Sequence, residues 1–278
     1  MPQTPEAHAP IDLDAYFARI GYAGPRQPTL ATLRAIHAAH PGTIAFENLD
    51  PLMGHRVSLD MGSVQRKLVQ AKRGGYCFET NGLFAEALRA LGFIVTGLAA
   101  RVLIGHAPGT SRRSHMLLKI DLDEESYIAD VGLGSWTLSA PLRLNDDSEQ
   151  ETPHGPFRIQ RAGDFLEEQT KVDGEWKSLY RFTLEETHAQ DYEVANWYTS
   201  AHPDSQFRHR LMAARLPKGR RLGMLDNRFS IHHGDGGIER RELKSAAEIA
   251  DVLENAFAIA LPGPREELMS VLARLVPQ

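Results

Sequence analysis

The residues best suited to chemistry are one thiol and two partners far from it in sequence. Cys77 is the only cysteine among 278 residues, and it stands in the run Arg73-Gly74-Gly75-Tyr76-Cys77-Phe78-Glu79-Thr80-Asn81. That run opens a helical stretch, and the unpaired N–H groups and dipole of a helix start favour an anion, here thiolate over thiol. A nucleophilic thiol needs a base, and the base needs an orienting acceptor. His115 opens the apolar run Met116-Leu117-Leu118, and Asp130 follows Tyr127-Ile128-Ala129. The connection between those two strands is too short for a crossover, so they should pair antiparallel and bring both residues to one end of a sheet. Taken singly, each residue also has a plainer role: a cysteine packed beneath a helix, a histidine satisfied inside a strand, an aspartate at a turn.

The elements that must position these groups are readable from periodicity. Phe84, Leu88 and Leu91 recur at i, i+4 and i+7, and the same face extended backward reaches Asn81 and Cys77. Gly92 fits a left-handed helix terminator. Gly74-Gly75 permit a sharp turn and a close backbone approach just before the helix. Residues 11–95 are helical in character, with Leu30, Leu33, Ile36 and His37 on one face. From Phe93 the period changes to two, predicting strands over 93–104, 114–122, 125–132, 156–161, 164–172 and 175–182. Asp173-Gly174 predicts a tight hairpin between the last two. A short helix over 191–198 is stopped by Pro203, and strands follow near 210–216, 222–225 and 228–232, with a turn at Asp226-Asn227. Ser245 with Glu248 forms a capping box for the next helix, and a last helix spans 265–275. Helices, then strands, then a mixed tail predict an α+β chain whose middle is a sheet or small barrel. No internal repeat is present.

Composition narrows the function. Thirty-one Lys plus Arg against 36 Asp plus Glu give a net charge of −5, without the basic footprint of a nucleic-acid binder. Apolar stretches fall far short of the ~20 residues that span a bilayer. Met1 to Pro10 lacks the basic-then-apolar pattern of an export signal, so a cytoplasmic protein is expected. One cysteine excludes an intramolecular disulfide and a thiolate-rich metal site. The pairs His37/His40 and His232/His233 have no accompanying ligand cluster, so no metal is expected. There is no GxGxxG or phosphate loop.

Four motifs in order, Phe46-Glu47-Asn48-Leu49, the Cys77 run, Ser114-His115-Met116 and Asp130-Val131-Gly132-Leu133-Gly134, resemble the arylamine N-acetyltransferases, over essentially the whole chain. The resemblance implies a helical domain over 1–95, an antiparallel β-barrel over 96–200 and an α/β lid over 201–278. It implies a Cys77–His115–Asp130 triad in which Cys77 accepts acetyl from acetyl-CoA and passes it, ping-pong, to an aromatic amine or hydrazine. Arg73, Glu47 and Asn81 would support the triad. Ser114, Gly134, Tyr198, Ser205 and Gln206 would meet coenzyme A, and Phe46, Val102, Leu133 and Phe207 would line the acyl and acceptor pocket. Two departures are Ala45, where many members have Pro, and Leu133, where an aromatic is common. The basic stretch Arg208, Arg210, Arg215, Lys218, Arg220 and Arg221 could attract the coenzyme phosphates. Neither nucleic acid nor a membrane is an expected partner, and the chain would act as a monomer or homodimer. A thiol hydrolase or transglutaminase-like enzyme uses the same triad, and a non-enzymatic thiol sensor remains the alternative from another class.

Overall fold

The computed structural model describes residues 10–107 and 109–277. The stretch read as lacking an export signal, Met1 to Pro10, lies outside them except for its last residue. The described residues open with α1 (Leu13–Ile20), α2 (Leu30–Thr43), the two-residue strand β1 (Phe46–Glu47), α3 (Leu49–Met53), α4 (Met61–Gln65) and α5 (Cys77–Ala90). Asp12 and Thr29 cap α1 and α2 by accepting from Ala15 N and Thr32 N. A wider π-type turn, Arg66–Gln70, continues α4. Tyr16, Leu33, Ile36, Phe84 and Leu88 form the centre of this core. At the end of α5, Gly92 at φ 91° lets its own N–H reach Arg89 O and Phe93 N–H reach Leu88 O, which ends the helix where the sequence predicts.

The middle of the chain is one antiparallel sheet: β2 (Ile94–Val102), β3 (Arg113–Leu122), β4 (Glu125–Ala129), β5 (Leu142–Arg143), β6 (Gln150–Thr152), β7 (Gly155–Ala162), β8 (Phe165–Val172) and β9 (Glu175–Phe182). Its order is β5-β4-β3-β2-β9-β8-β7-β6. The ends curl together into a near-barrel, with β5 against β7. Gln150 closes the seam with its side-chain amide, accepting from Arg143 N at 2.8 Å and donating to Arg143 O at 3.0 Å. Leu98, Leu117, Ile128, Phe157, Leu179 and Phe182 fill the interior. The Asp173-Gly174 hairpin forms as predicted, both residues at positive φ. The strand expected over 125–132 stops at Ala129 because the next backbone N–H groups leave the ladder: that of Asp130 donates to His37 and that of Val131 to Asn81.

After α6 (Ala189–Ala201), longer than the predicted 191–198, come β10 (Met212–Arg215), β11 (Arg220–Leu225), β12 (Arg228–His233), β13 (Ile238–Glu242), α7 (Ala246–Asn255) and α8 (Arg265–Ala273). Ser245 caps α7 as expected. The second sheet runs β1-β10-β11-β12-β13, so its first strand comes from near the N-terminus. Phe46 pairs with Ala214 and Glu47 with Ala213. Asn48 reinforces this join, donating to Phe207 O at 2.9 Å and Arg210 O at 2.7 Å and accepting from Met212 N at 2.8 Å. Among the described residues no helix is long and apolar enough to cross a membrane.

Candidate active site

Cys77 is the first residue of α5, and the turn before it is built by contacts that only glycine permits. A Cβ on Gly74 would stand 2.2 Å from Ala45 O, and one on Gly75 would stand 2.7 Å from Glu79 Oε2. That same Glu79 oxygen accepts from Tyr76 N at 3.2 Å and caps the helix start. Beneath it lies a nearly buried charge network. Lys67 bridges Asp50 and Glu79 at 2.7 Å each, and Arg73 bridges Glu47 at 2.9 Å and Asp50 at 2.7 Å. Burial pushes the Glu79 carboxyl up, against the pull of Lys67. The network fixes the loop on which the thiol is mounted.

The three dispersed residues meet at one end of the barrel. His115 Nε2 and Asp130 Oδ2 are 2.7 Å apart, and Cys77 Sγ lies 3.8 Å from the Ser114 carbonyl. All three are buried. Asn81, one helical turn after Cys77, donates to Asp130 Oδ1 at 2.8 Å and to Met116 O at 2.8 Å, and accepts from Val131 N. The other donor to Asp130 Oδ1 is Gly132 N at 2.8 Å. Burial works to raise Asp130, but His115 and these donors hold it below the usual carboxylate range. Burial likewise works to lower His115; the Asp130 carboxylate reverses this and, with the hydrogen bond and charge of Cys77, lifts the imidazole to about 10. The favoured state therefore carries an imidazolium between a carboxylate and the sulfur. His37 accepts from Asp130 N at 3.2 Å, and burial pushes its pKa down to about 4, so it supports the triad as a neutral ring.

The other expected site residues divide into several groups. Phe207 and Phe46 form an aromatic wall next to Tyr76, the residue before Cys77: Phe207 packs on Tyr76 (centroids 5.4 Å) and on Phe46 (6.2 Å). Gly134, at φ 64°, lies against the Phe46 ring. Leu133 instead packs against the barrel core, and Val102 pairs with Tyr180 at the end of β2. A cavity of about 270 Å³ opens at His115, floored by Phe78, Ala99 and Tyr192. Beside it a groove of about 290 Å³ holds Ser114 and Tyr198. The Tyr198 ring contacts the Arg112 guanidinium, 4.4 Å from its centroid, and stacks on the His202 ring, and its hydroxyl is buried without a partner among the described residues. Ser205 is committed elsewhere, its hydroxyl donating to Thr199 O and accepting from Phe207 N, while Gln206 is exposed.

The basic stretch does not form a single surface. Arg210 pairs with Asp226, and Arg215 and Arg221 reach into the fold to bond backbone carbonyls of Gly42, Ala256, Ser135 and His154. Sequence reasoning also passed over Glu168 and Tyr180, buried beside the triad: nothing in Leu166-Glu167-Glu168-Gln169 distinguishes a buried acid from its exposed neighbours. Among the described residues no cluster of three metal-ligating side chains occurs.

An N-acetyltransferase family model matches residues 29–266 of this chain. The chain belongs to the arylamine N-acetyltransferase family. It is 41% identical to the Escherichia coli K12 arylamine N-acetyltransferase over 267 residues, covering 94% of this chain and 95% of that one. It is 40% identical to the Mycolicibacterium smegmatis enzyme, over 90% and 93% of the two chains. The fold follows the sequence: the Mycobacterium marinum arylamine N-acetyltransferase superposes with a TM-score of 0.92 at 38% identity, over 96% of this chain and all of that one, and that protein has also been solved in complex with CoA. The family's α+β architecture of helices, near-barrel and second sheet is thus the architecture found here.

Proposed function

We propose that the chain transfers the acetyl group of acetyl-CoA to the nitrogen of aromatic amines and hydrazines through an acetyl-cysteine on Cys77. The observation that carries this reading is the buried alignment of sulfur, imidazole and carboxylate, with His115 lifted to about 10 beside Cys77. His115 takes the thiol proton and Asp130 holds the resulting imidazolium, leaving Sγ as the nucleophile. Sγ bonds to the acetyl carbon, and the first turn of α5 offers unpaired N–H groups to the developing oxyanion. The C–S bond to coenzyme A then breaks, its sulfur leaves, and the His115 imidazolium gives that sulfur its proton and becomes neutral. In the second half the amine nitrogen attacks acetyl-Cys77, neutral His115 takes its proton, and the sulfur is released.

The groove past Tyr198 supports the entry of the cosubstrate, since Arg112, Arg113 and Ser114 line it and the Ser114 carbonyl lies 3.8 Å from the thiol. The Phe46–Phe207 wall supports an aromatic acceptor, which stacks well on such rings. Intact-mass measurement after mixing with acetyl-CoA should show one added acetyl group on the native chain and none on Cys77→Ala. Release of that group by an arylamine, faster than by water, separates transfer from thiol hydrolysis; acetylation of Cys77→Ala to the same extent would overturn the assignment.

A further inference from the structure

A second carboxylic acid lies inside the barrel next to the triad. Glu168, on β8, is fully buried and stands in register with Tyr180 on β9. The Tyr180 hydroxyl bonds Glu168 Oε2, and the Tyr180 ring packs on the His115 ring with centroids 5.1 Å apart. Glu168 Oε1 is buried with no hydrogen-bond partner, and among the described residues no Lys, Arg or His forms an ion pair with this side chain. The titratable groups that face it are Tyr180 from β9, His115 from β3 and Asp130 from the end of β4, and Cys77 of α5 reaches it only through His115. A buried carboxylate with one oxygen unsatisfied and no ion-pair partner of its own, the His115 ring being engaged by Asp130, is costly, and the neutral acid is less so.

We propose that Glu168 is a positioning residue whose proton leaves Asp130 as the only carboxylate charge acting on His115, so that losing this proton slows the half-reaction in which His115 must be neutral. The proposal rests on His115 being the proton carrier of the reaction described above. Burial first, and then the Asp130 charge, push the Glu168 carboxyl up to about 8, while Tyr180 and His115 pull it back. The transition therefore falls just above neutral pH. Once Cys77 carries the acetyl group there is no thiolate beside His115, and the ring must be free to take the amine proton. Ionisation of Glu168 sends its proton to solvent and sets a second negative charge near the ring, which then holds its own proton more tightly. One pKa unit of such tightening corresponds to about a tenfold loss of neutral imidazole.

The test isolates the second half-reaction. Acetyl-Cys77 enzyme is prepared, and the release of acetyl to an arylamine is followed by rapid mixing from about pH 6 to about pH 9.5. The wild type should show a fall of about tenfold centred near pH 8, superimposed on any other titration. Glu168→Gln, which keeps the volume and can still bond Tyr180, should lack that component. A structural role alone would shift the rate at every pH and leave the transition in place. Infrared spectroscopy supplies a readout independent of turnover: a protonated-carboxyl band in the wild type that titrates near pH 8 and is missing from Glu168→Gln. The proposal is overturned if the variant keeps the transition, or if the wild type has none. Should the variant not fold, the wild-type band alone decides, and its absence below neutral pH overturns the idea. Failure of Cys77 to acetylate at all would instead strike the proton-carrier reading, which the band does not depend on.

Discussion

Gly132→Ala tests how closely the triad depends on the fit between helix and barrel. Gly132 is not at positive φ, so an alanine there meets no backbone strain; the obstacle is space. The new methyl would lie 2.7 Å from Cys77 Cα, 2.6 Å from Thr80 Oγ1 and 3.0 Å from Asn81 Nδ2. Ordinary carbon–carbon contact needs about 3.5 Å, so the start of α5 and the chain after β4 must part by roughly 0.8 Å. Overpacking of this kind costs about 1–3 kcal/mol, and each kcal/mol lowers the melting temperature of a chain this size by about 2–4 °C. The activity loss should exceed what the stability loss explains. A displacement near 1 Å of a nucleophile relative to its base costs on the order of 100-fold in rate. Gly82→Ala is the control on the same helix, because nothing lies within 4 Å of its added Cβ. Acetylation of Cys77 by acetyl-CoA, measured by stopped flow or quenched mass spectrometry, should be about 100-fold slower in Gly132→Ala and close to wild type in Gly82→Ala. A Gly132→Ala protein that melts and acetylates like the wild type would refute the claim that backbone proximity sets the triad.

Three other outcomes are expected. Asp130→Asn should slow acetylation of Cys77 by at least ~100-fold with the fold retained, since the amide keeps the size but not the charge that holds the imidazolium; a near-wild-type rate would mean another acceptor orients His115. Arg73→Ala leaves the fully buried Glu47 without its cation and Asp50 with one fewer, and should cost about 3–5 kcal/mol in denaturant unfolding, whereas a loss under ~1 kcal/mol would reduce the network to a surface-like pairing. The native state holds the His115 proton up to about pH 10 while the unfolded chain releases it near 6.5. The stability this contributes is therefore complete below about 6.5 and is lost as pH rises toward about 10. The melting temperature of the wild type should fall as pH rises from about 6.5 toward about 10, and that of His115→Gln should fall less; equal slopes would count against the ion pair.

The candidate triad was legible in the sequence because Cys77 opens a long helix, His115 lies on a long strand and Asp130 directly follows a short one. Phe84, Leu88 and Leu91 declare α5, and the apolar runs around His115 and before Asp130 declare adjoining strands that must be antiparallel. What escaped notice is short or depends on tertiary contact. The strand Phe46–Glu47 is too brief for any alternation, and its partner lies near the far end of the chain. Strand Ile238–Glu242 is exposed along its whole length, so no hydrophobic face marks it. The arginines between 208 and 221 read as one positive surface, yet pairing and burial direct Arg210, Arg215 and Arg221 to separate structural tasks. His37 was visible on a helix face, but its bond to the Asp130 backbone required knowing where the sheet ends.

The pairing of Phe46–Glu47 with Met212–Arg215 also governs when the molecule becomes complete during synthesis. The helix bearing Cys77, the strand bearing His115 and the turn bearing Asp130 are all made before residue 200. The edge of β1 and the amide of Asn48 then wait for a strand not yet made, and Phe46 has no Phe207 to pack against. Domains that fold from the N-terminus as they emerge would thus pass through a stage with Cys77, His115 and Asp130 present and no Phe46–Phe207 contact. A nascent chain broken before Met212 would carry Cys77, His115 and Asp130 with β1 unpaired.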